Sequence, residues 1–232
     1  MKNTIKLAIM LLAVSAVMST SCKKDPQAPN NGKENGHEWV DLGLPSGLKW
    51  ATCNIGADKP EAYGNYFAWG ETEPKTTYDW NSYKYGNGTY DITKYCSQTG
   101  YGNEGFTDTL TILQSIDDAA SVNWGGTWRL PTVGNMRELR DNCTYEWTTQ
   151  NDVNGYLFTA QNGNSIFLPA AGYYHEGELC NAGEKGYYWS SSLYTDCPDG
   201  AYYSYFDLYY YYLNDYGRYN GMVLRPVCPA KK

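Results

Sequence analysis

Short bursts of alternating hydrophobic and polar residues, separated by Gly, Pro, Asn and Asp, dominate this chain, and only two stretches carry a helical period. The first burst, WVDLGLPSGLKWATCNIGA from Trp39, reads as two short strands around Leu44-Pro45-Ser46-Gly47, where Pro presets φ and Gly accepts a positive one, so a hairpin is predicted. From Tyr63 to Gly105 the chain is polar and broken by Gly and Asn, which predicts a loop-rich layer with one or two short strands. Asp117 to Trp124 opens on acids and carries Ala119, Ala120 and Val122, the pattern of a short helix. A second helix is predicted with Thr132 as N-cap, placing Met136, Leu139 and Cys143 on one core-facing side. Beyond it the pattern turns to strands: Tyr156 to Ala160 and a run from Ser165, joined by Gln161-Asn162-Gly163-Asn164 in a hairpin, then Tyr187 to Ser192, Ala201 to Leu208 and Met222 to Val227. The class expected is α+β, loop-rich, with short helices and an antiparallel sheet.

One segment departs from the alphabet of a buried strand. Between Tyr194 and Asn220, 16 of 27 residues are Tyr, Asp or Asn, with no Lys, Glu, Gln, His, Val or Ile. Tyr offers a large, stiff, amphipathic surface at low entropic cost, while Asn, Asp, Ser and Gly supply adaptable hydrogen bonds. A buried strand favours Val, Ile, Leu and Phe, because each phenol taken out of water needs a partner. The segment is therefore expected to be a solvent-facing contact surface anchored inward by Phe206, Leu208 and Leu213. Its ligand-contacting residues would be Tyr194, Asp196, Tyr202, Tyr203, Tyr205, Asp207, Tyr209, Tyr210, Tyr211, Tyr212, Asn214, Asp215, Tyr216 and Tyr219. The plainer alternative is an aromatic-rich edge of a Tyr-heavy β protein.

The N-terminus has the form of an export signal over residues 1–21: Lys2 and Lys6, an apolar stretch from Leu7 to Met18, then Ser19, Thr20 and Ser21 before Cys22. The small-residue run ending in Cys22 resembles a bacterial lipobox, which implies cleavage before Cys22 and acylation of its thiol, and so a membrane tether; Ser19 stands where that motif usually has Leu. Residues 22–37 are polar, with Pro, Asn and Gly, and are expected to be a flexible tether leading into one domain over residues 38–232. Without the first 21 residues the charge is 16 − 25 = −9, an acidic balance that argues against a nucleic-acid partner. Six cysteines follow Cys22, an even number that permits disulfides in an exported chain, and none has CxxC spacing.

Catalytic patterns are missing. The two histidines are His37 and His175, and no GxSxG, HExxH, Walker A, GxGxxG or EF-hand pattern is present. Ser190, Ser191 and Ser192 read as a polar strand face without a base, and Asp117-Asp118 as helix-start charge. No cofactor or metal is called for, and the chain is expected not to be an enzyme.

The segments WVDLGLPSGLKWATCNIGA, YGNYFAWGET, DDAASVNWGGTWRLPT, NSIFLPAAGYY, YYWSSS and RYNGMVLRPV occur in this order from Trp39 to Val227. Together they resemble the Fibrobacter succinogenes major paralogous domain of lipoproteins from Bacteroides-type bacteria. The stretch from Asp118 to Leu139 also resembles formylglycine-generating enzymes, which implies a C-type-lectin-like fold with Trp128, Leu130 and Leu139 as framework. That activity is not implied, because the paired active-site cysteines have no counterpart here. The EPN, QPD and WND tripeptides of calcium-dependent lectins are also missing. Proteins diversified by retroelements often share this fold and vary Asn-derived codons to Tyr, Asp, Ser, Thr or Gly near the C-terminus, and the residues common in Tyr194 to Asn220 belong to that set. The resemblance implies a monomeric, lipid-anchored outer-membrane protein, at the cell surface or on the periplasmic leaflet, that binds a protein or glycan. Its rivals are a structural or adhesive surface component and, more distantly, an enzyme of the formylglycine-generating type.

Overall fold

A computed structural model describes residues 31–229, so the export signal, Cys22 and the first part of the tether lie outside the described residues. Antiparallel sheets dominate, with two short α-helices and long loops. The first sheet runs β1 (Asn31–Glu34), β2 (His37–Val40), β3 (Lys49–Ala51) and, from the far end of the chain, β12 (Val227–Cys228). The predicted turn joins β2 and β3: the amide of Gly47 donates to the carbonyl of Leu44 at 2.8 Å, and Gly47 has φ +72°.

β1 corrects the expectation of a flexible tether over residues 22–37. Asn35 and Gly36 both take positive φ, as a two-residue hairpin requires, and turn β1 back onto β2. The Trp39 ring lies across Gly32, so close that a side chain there would collide with it. The Trp128 indole donates to the carbonyl of Glu34 at 2.8 Å, tying this hairpin to the middle of the chain. Polar composition alone suggested a linker, whereas the Asn-Gly pair was the stronger local signal.

Both helices form where predicted. α1 (Ala119–Trp124) is capped by Asp118, whose side chain accepts from the amides of Ala120 and Ser121. Asp117 does not act as helix-start charge. It is buried and accepts hydrogen bonds from the Tyr85 and Tyr95 hydroxyls and from Lys94. α2 (Val133–Asn142) starts at Thr132 in a capping box with Asn135 and buries Met136 and Leu139. Cys143, expected on the same helical face, instead opens β4 (Cys143–Gln150), because the backbone is already extended at that residue.

β4 pairs with β5 (Val153–Ala160), and β5 with β6 (Ser165–Pro169), making a three-stranded meander. The β5–β6 hairpin forms as predicted, with Gly163 at positive φ. β7 (Tyr173–His175) and β8 (Glu178–Cys180) make a small ribbon. The expected strand from Met222 to Val227 is mostly isolated bridges, Met222 to Phe67 and Val223 to Tyr188, and becomes a regular strand only at β12. The layer from Tyr63 to Gly105 holds two single-turn 3-10 helices and no regular strand.

The third sheet, in the order β11-β10-β9, carries the Tyr-rich segment: β9 (Gly186–Leu193), β10 (Gly200–Phe206) and β11 (Tyr211–Gly217). Its two faces serve two hydrophobic clusters. Strand alternation turns Tyr188, Phe206, Tyr211 and Leu213 toward Met136, Leu139, Tyr156 and Phe158. Tyr187, Trp189, Tyr203 and Tyr205 turn the other way, into a cluster that includes Trp69, Trp128 and Leu130. Two arginines, Arg218 and Arg225, are fully buried, make no ion pair with a carboxylate among the described residues, and bond mainly to backbone carbonyls.

Candidate functional site

Residues 207–210 join β10 to β11, and Asp207 shapes that turn. One carboxylate oxygen accepts from the amides of Tyr209 at 2.8 Å and Tyr210 at 2.9 Å, while the other accepts from the Tyr205 hydroxyl at 2.6 Å. Burial pushes the Asp207 carboxyl upward, but these three donors outweigh it and hold the group below the usual carboxylate range. Asp207 is therefore a structural anion with both oxygens engaged.

With the backbone folded onto Asp207, the side chains of the turn point outward. Leu208 is 54%, Tyr209 77% and Tyr210 66% exposed, and Tyr212 on β11 is also exposed. Behind the turn, Phe206 stacks on Tyr156 with centroids 4.7 Å apart, and its ring lies where a side chain on Gly186 would have to go. The turn is thus an exposed apolar tip on a tightly packed base.

Three sequence expectations need correction. Tyr203 and Tyr205 are only 4% and 7% exposed, so their rings belong to the core and not to a solvent-facing surface. The Tyr205 hydroxyl is partnered by Asp207, and burial raises the pKa of both hydroxyls. Leu208, expected as an inward anchor, is exposed because β10 ends at Phe206 and strand alternation no longer applies. Leu213 packs against the second cluster only partly, as a residue of an edge strand.

The remaining predicted residues fall into separate places. Tyr211 packs among Phe158, Phe206 and Tyr145, and burial raises its hydroxyl pKa. Tyr216 faces Tyr173, their hydroxyls 3.4 Å apart, and Tyr219 lies beside Trp80 and His175. Tyr202, Asp215 and Tyr194 gather at the opposite end of the sheet, with Tyr194 edge-on to Tyr202 at 5.2 Å; Asp196 is exposed in the adjoining loop. Asn214 is exposed along β11. The tip and the Tyr202–Asp215 pair thus lie toward opposite ends of the β10–β11 ribbon.

Sequence reasoning missed Tyr145. It lies on β4, is exposed, and its ring is 5.4 Å from Tyr211, extending the aromatic surface beyond the C-terminal segment. The alternation in CTYEWTTQ was the available signal.

The other candidate groups are committed to structure. Ser190 donates to the carbonyl of Tyr202, the Ser192 hydroxyl accepts from the amide of Val133, and the His175 ring meets the side-chain carbonyl of Asn220 at 2.8 Å. Cys53, Cys96, Cys143, Cys180 and Cys197 form no disulfide among the described residues. Comparison with protein-family models, with curated proteins and with solved structures finds no match to this chain.

Proposed function

We propose that this chain is an exported, lipid-anchored ligand-binding protein of C-type-lectin-like fold, tethered to the outer membrane through Cys22 and facing the cell exterior. Its binding element is the aromatic turn between β10 and β11. The observation that carries the proposal is the run Leu208, Tyr209, Tyr210 and Tyr212, exposed together on a base locked by Asp207. Exposed apolar residues gathered in this way mark interaction sites, and a pre-shaped turn loses little entropy on binding. A protein is the better-fitting ligand. Small-molecule sites are concave, whereas an aromatic turn at the end of a hairpin suits a depression in a partner, as long antibody loops do.

Loop-rich antiparallel sheets with two short helices support the fold assignment at the level of class. Were the segment diversified by a retroelement, the variable positions would be Tyr209, Tyr210, Tyr212 and Asn214, since Tyr203, Tyr205 and Asn220 are buried and could not accept arbitrary replacements. One second reading has an observation of its own: β11 ends its sheet, and an open edge suits a structural or adhesive component that pairs strand to strand. Solution mass separates the two, because stable self-association buries more than about 1,000 Å².

The test of the binding role is site-specific photo-crosslinking in the producing bacterium, with benzoylphenylalanine at Tyr210 and, as control, at the exposed Gln161. A discrete adduct from position 210 alone supports the proposal. Equal adducts from both positions, or none from either, count against it.

A further inference from the structure

A cavity of about 450 Å³ opens at the end of the third sheet away from the aromatic turn, between β9, α1 and the Trp128–Thr132 segment. Its size lies within the range of small-molecule sites. We propose that it binds a small organic carboxylate with an apolar body, oriented by Arg129 and Ser191. This inference is independent of the binding role of the turn.

Arg129 is the first reason. Its Nη1 donates to the carbonyl of Leu130 at 2.8 Å and to Asn135 at 3.2 Å, while Nε and Nη2 make no hydrogen bond among the described residues. Half-buried, it makes no direct ion pair among those residues, and the Asp118 carboxylate acts on it only from beyond contact. A guanidinium lining a cavity with a spare planar edge is matched by a carboxylate, which accepts two parallel N–H bonds. Asp118 also lines the cavity but does not fill this role. Its oxygens already accept from the amides of Ala120 at 2.9 Å, Ser121 at 3.2 Å and Leu130 at 2.8 Å.

Ser191 is the second, independent reason. Alternation turns Ser190 and Ser192 to one face of β9, where both hydroxyls are used, and turns Ser191 to the cavity side. There it is 2% exposed, and its hydroxyl has no hydrogen-bond partner. Folded proteins leave few such groups, and an unspent hydroxyl beside an unspent guanidinium marks a place where an acceptor is missing. Ile112, Leu113 and Trp128 supply an apolar wall that suits a hydrocarbon or aromatic body, with the polar Ser115, Thr127 and Thr132 around it. A carboxylate answers the spare guanidinium edge with two charged acceptors, which a neutral sugar lacks.

The experiment is calorimetric titration of the full-length protein with 4-phenylbutyrate and with its neutral analogue 4-phenylbutyramide. The site predicts that the carboxylate binds at least about tenfold more tightly than the amide, and that Arg129→Gln abolishes this preference. Should Arg129→Gln fail to fold, Ile112→Glu keeps the test open: on the exposed lip of the cavity it weakens carboxylate binding by repulsion without disturbing the core. Equal affinity for the two compounds overturns the proposal. So does a preference that survives the variants, or no binding of the carboxylate up to about 10 mM.

Discussion

The Tyr205 hydroxyl donates to the carboxylate of Asp207 at 2.6 Å, two residues further along, so a buried ring and an exposed turn are fastened at one point. The same carboxylate holds the amides of Tyr209 and Tyr210. The order of the turn depends on an ionised Asp207.

Acidification should therefore loosen the turn before the domain. The folded pKa of Asp207 is depressed, so its stabilisation is complete above the ordinary carboxylate range and is lost as pH falls through the folded value. Hydrogen exchange at the Tyr209 and Tyr210 amides, corrected for the intrinsic rate, should show protection falling on acidification in the native protein. In Asp207→Asn it should be weaker and independent of pH; an unchanged profile in that variant would show that the carboxylate does not organise the turn.

Neighbouring aromatics should differ sharply in their effect on stability. Tyr205→Ala and Phe206→Ala empty core volume and should destabilise by about 3–5 kcal/mol in urea unfolding. Leu208→Ala and Tyr209→Ala, both at exposed sites, should stay within about 0.5 kcal/mol. A large loss for Leu208→Ala would place it in the core after all.

Much of this was legible in the sequence. Thr132 announced the second helix through its capping chemistry, the acids at Asp117 and Asp118 announced the first as helix-start charge, and Pro45 and Gly47 announced the first hairpin. Phe206 was correctly read as inward by alternation. Alternation failed at Leu208, because the end of a strand is set by tertiary pairing that a period of two does not encode. Tyr203 and Tyr205 escaped because a phenol can bury its ring in a core while its hydroxyl finds a local partner, as that of Tyr205 finds Asp207. The cavity at Arg129 depends on segments far apart in the chain, which no local pattern reveals.

Asp117 should be a keystone of the loop-rich layer. It accepts from Tyr85, from Tyr95 at 2.6 Å and from Lys94 at 2.5 Å, and these donors outweigh burial to hold its pKa below the ordinary value. Its contribution is present above the unfolded carboxylate range and disappears as pH falls through the depressed folded pKa. Asp117→Ala should lose about 3 kcal/mol or more at neutral pH and flatten the acid limb of the stability curve. An unaltered acid limb would assign that limb to other groups.

The tether rests on Cys22, which lies outside the described residues. Mass spectrometry of the native protein should find the mature N-terminus at Cys22 carrying acyl chains. Cleavage elsewhere with a free thiol would remove the membrane anchor from the proposal.

The central claim is that the turn binds while the strands beneath it fold. Its most direct measurement is the Kd of the partner crosslinked from position 210, for the native protein and for Tyr210→Ala, with the melting temperature recorded on the same samples. Loss of about 2 kcal/mol or more of binding at an unchanged melting temperature is the predicted result. Equal affinities, or a loss of binding that merely follows a loss of stability, would contradict it.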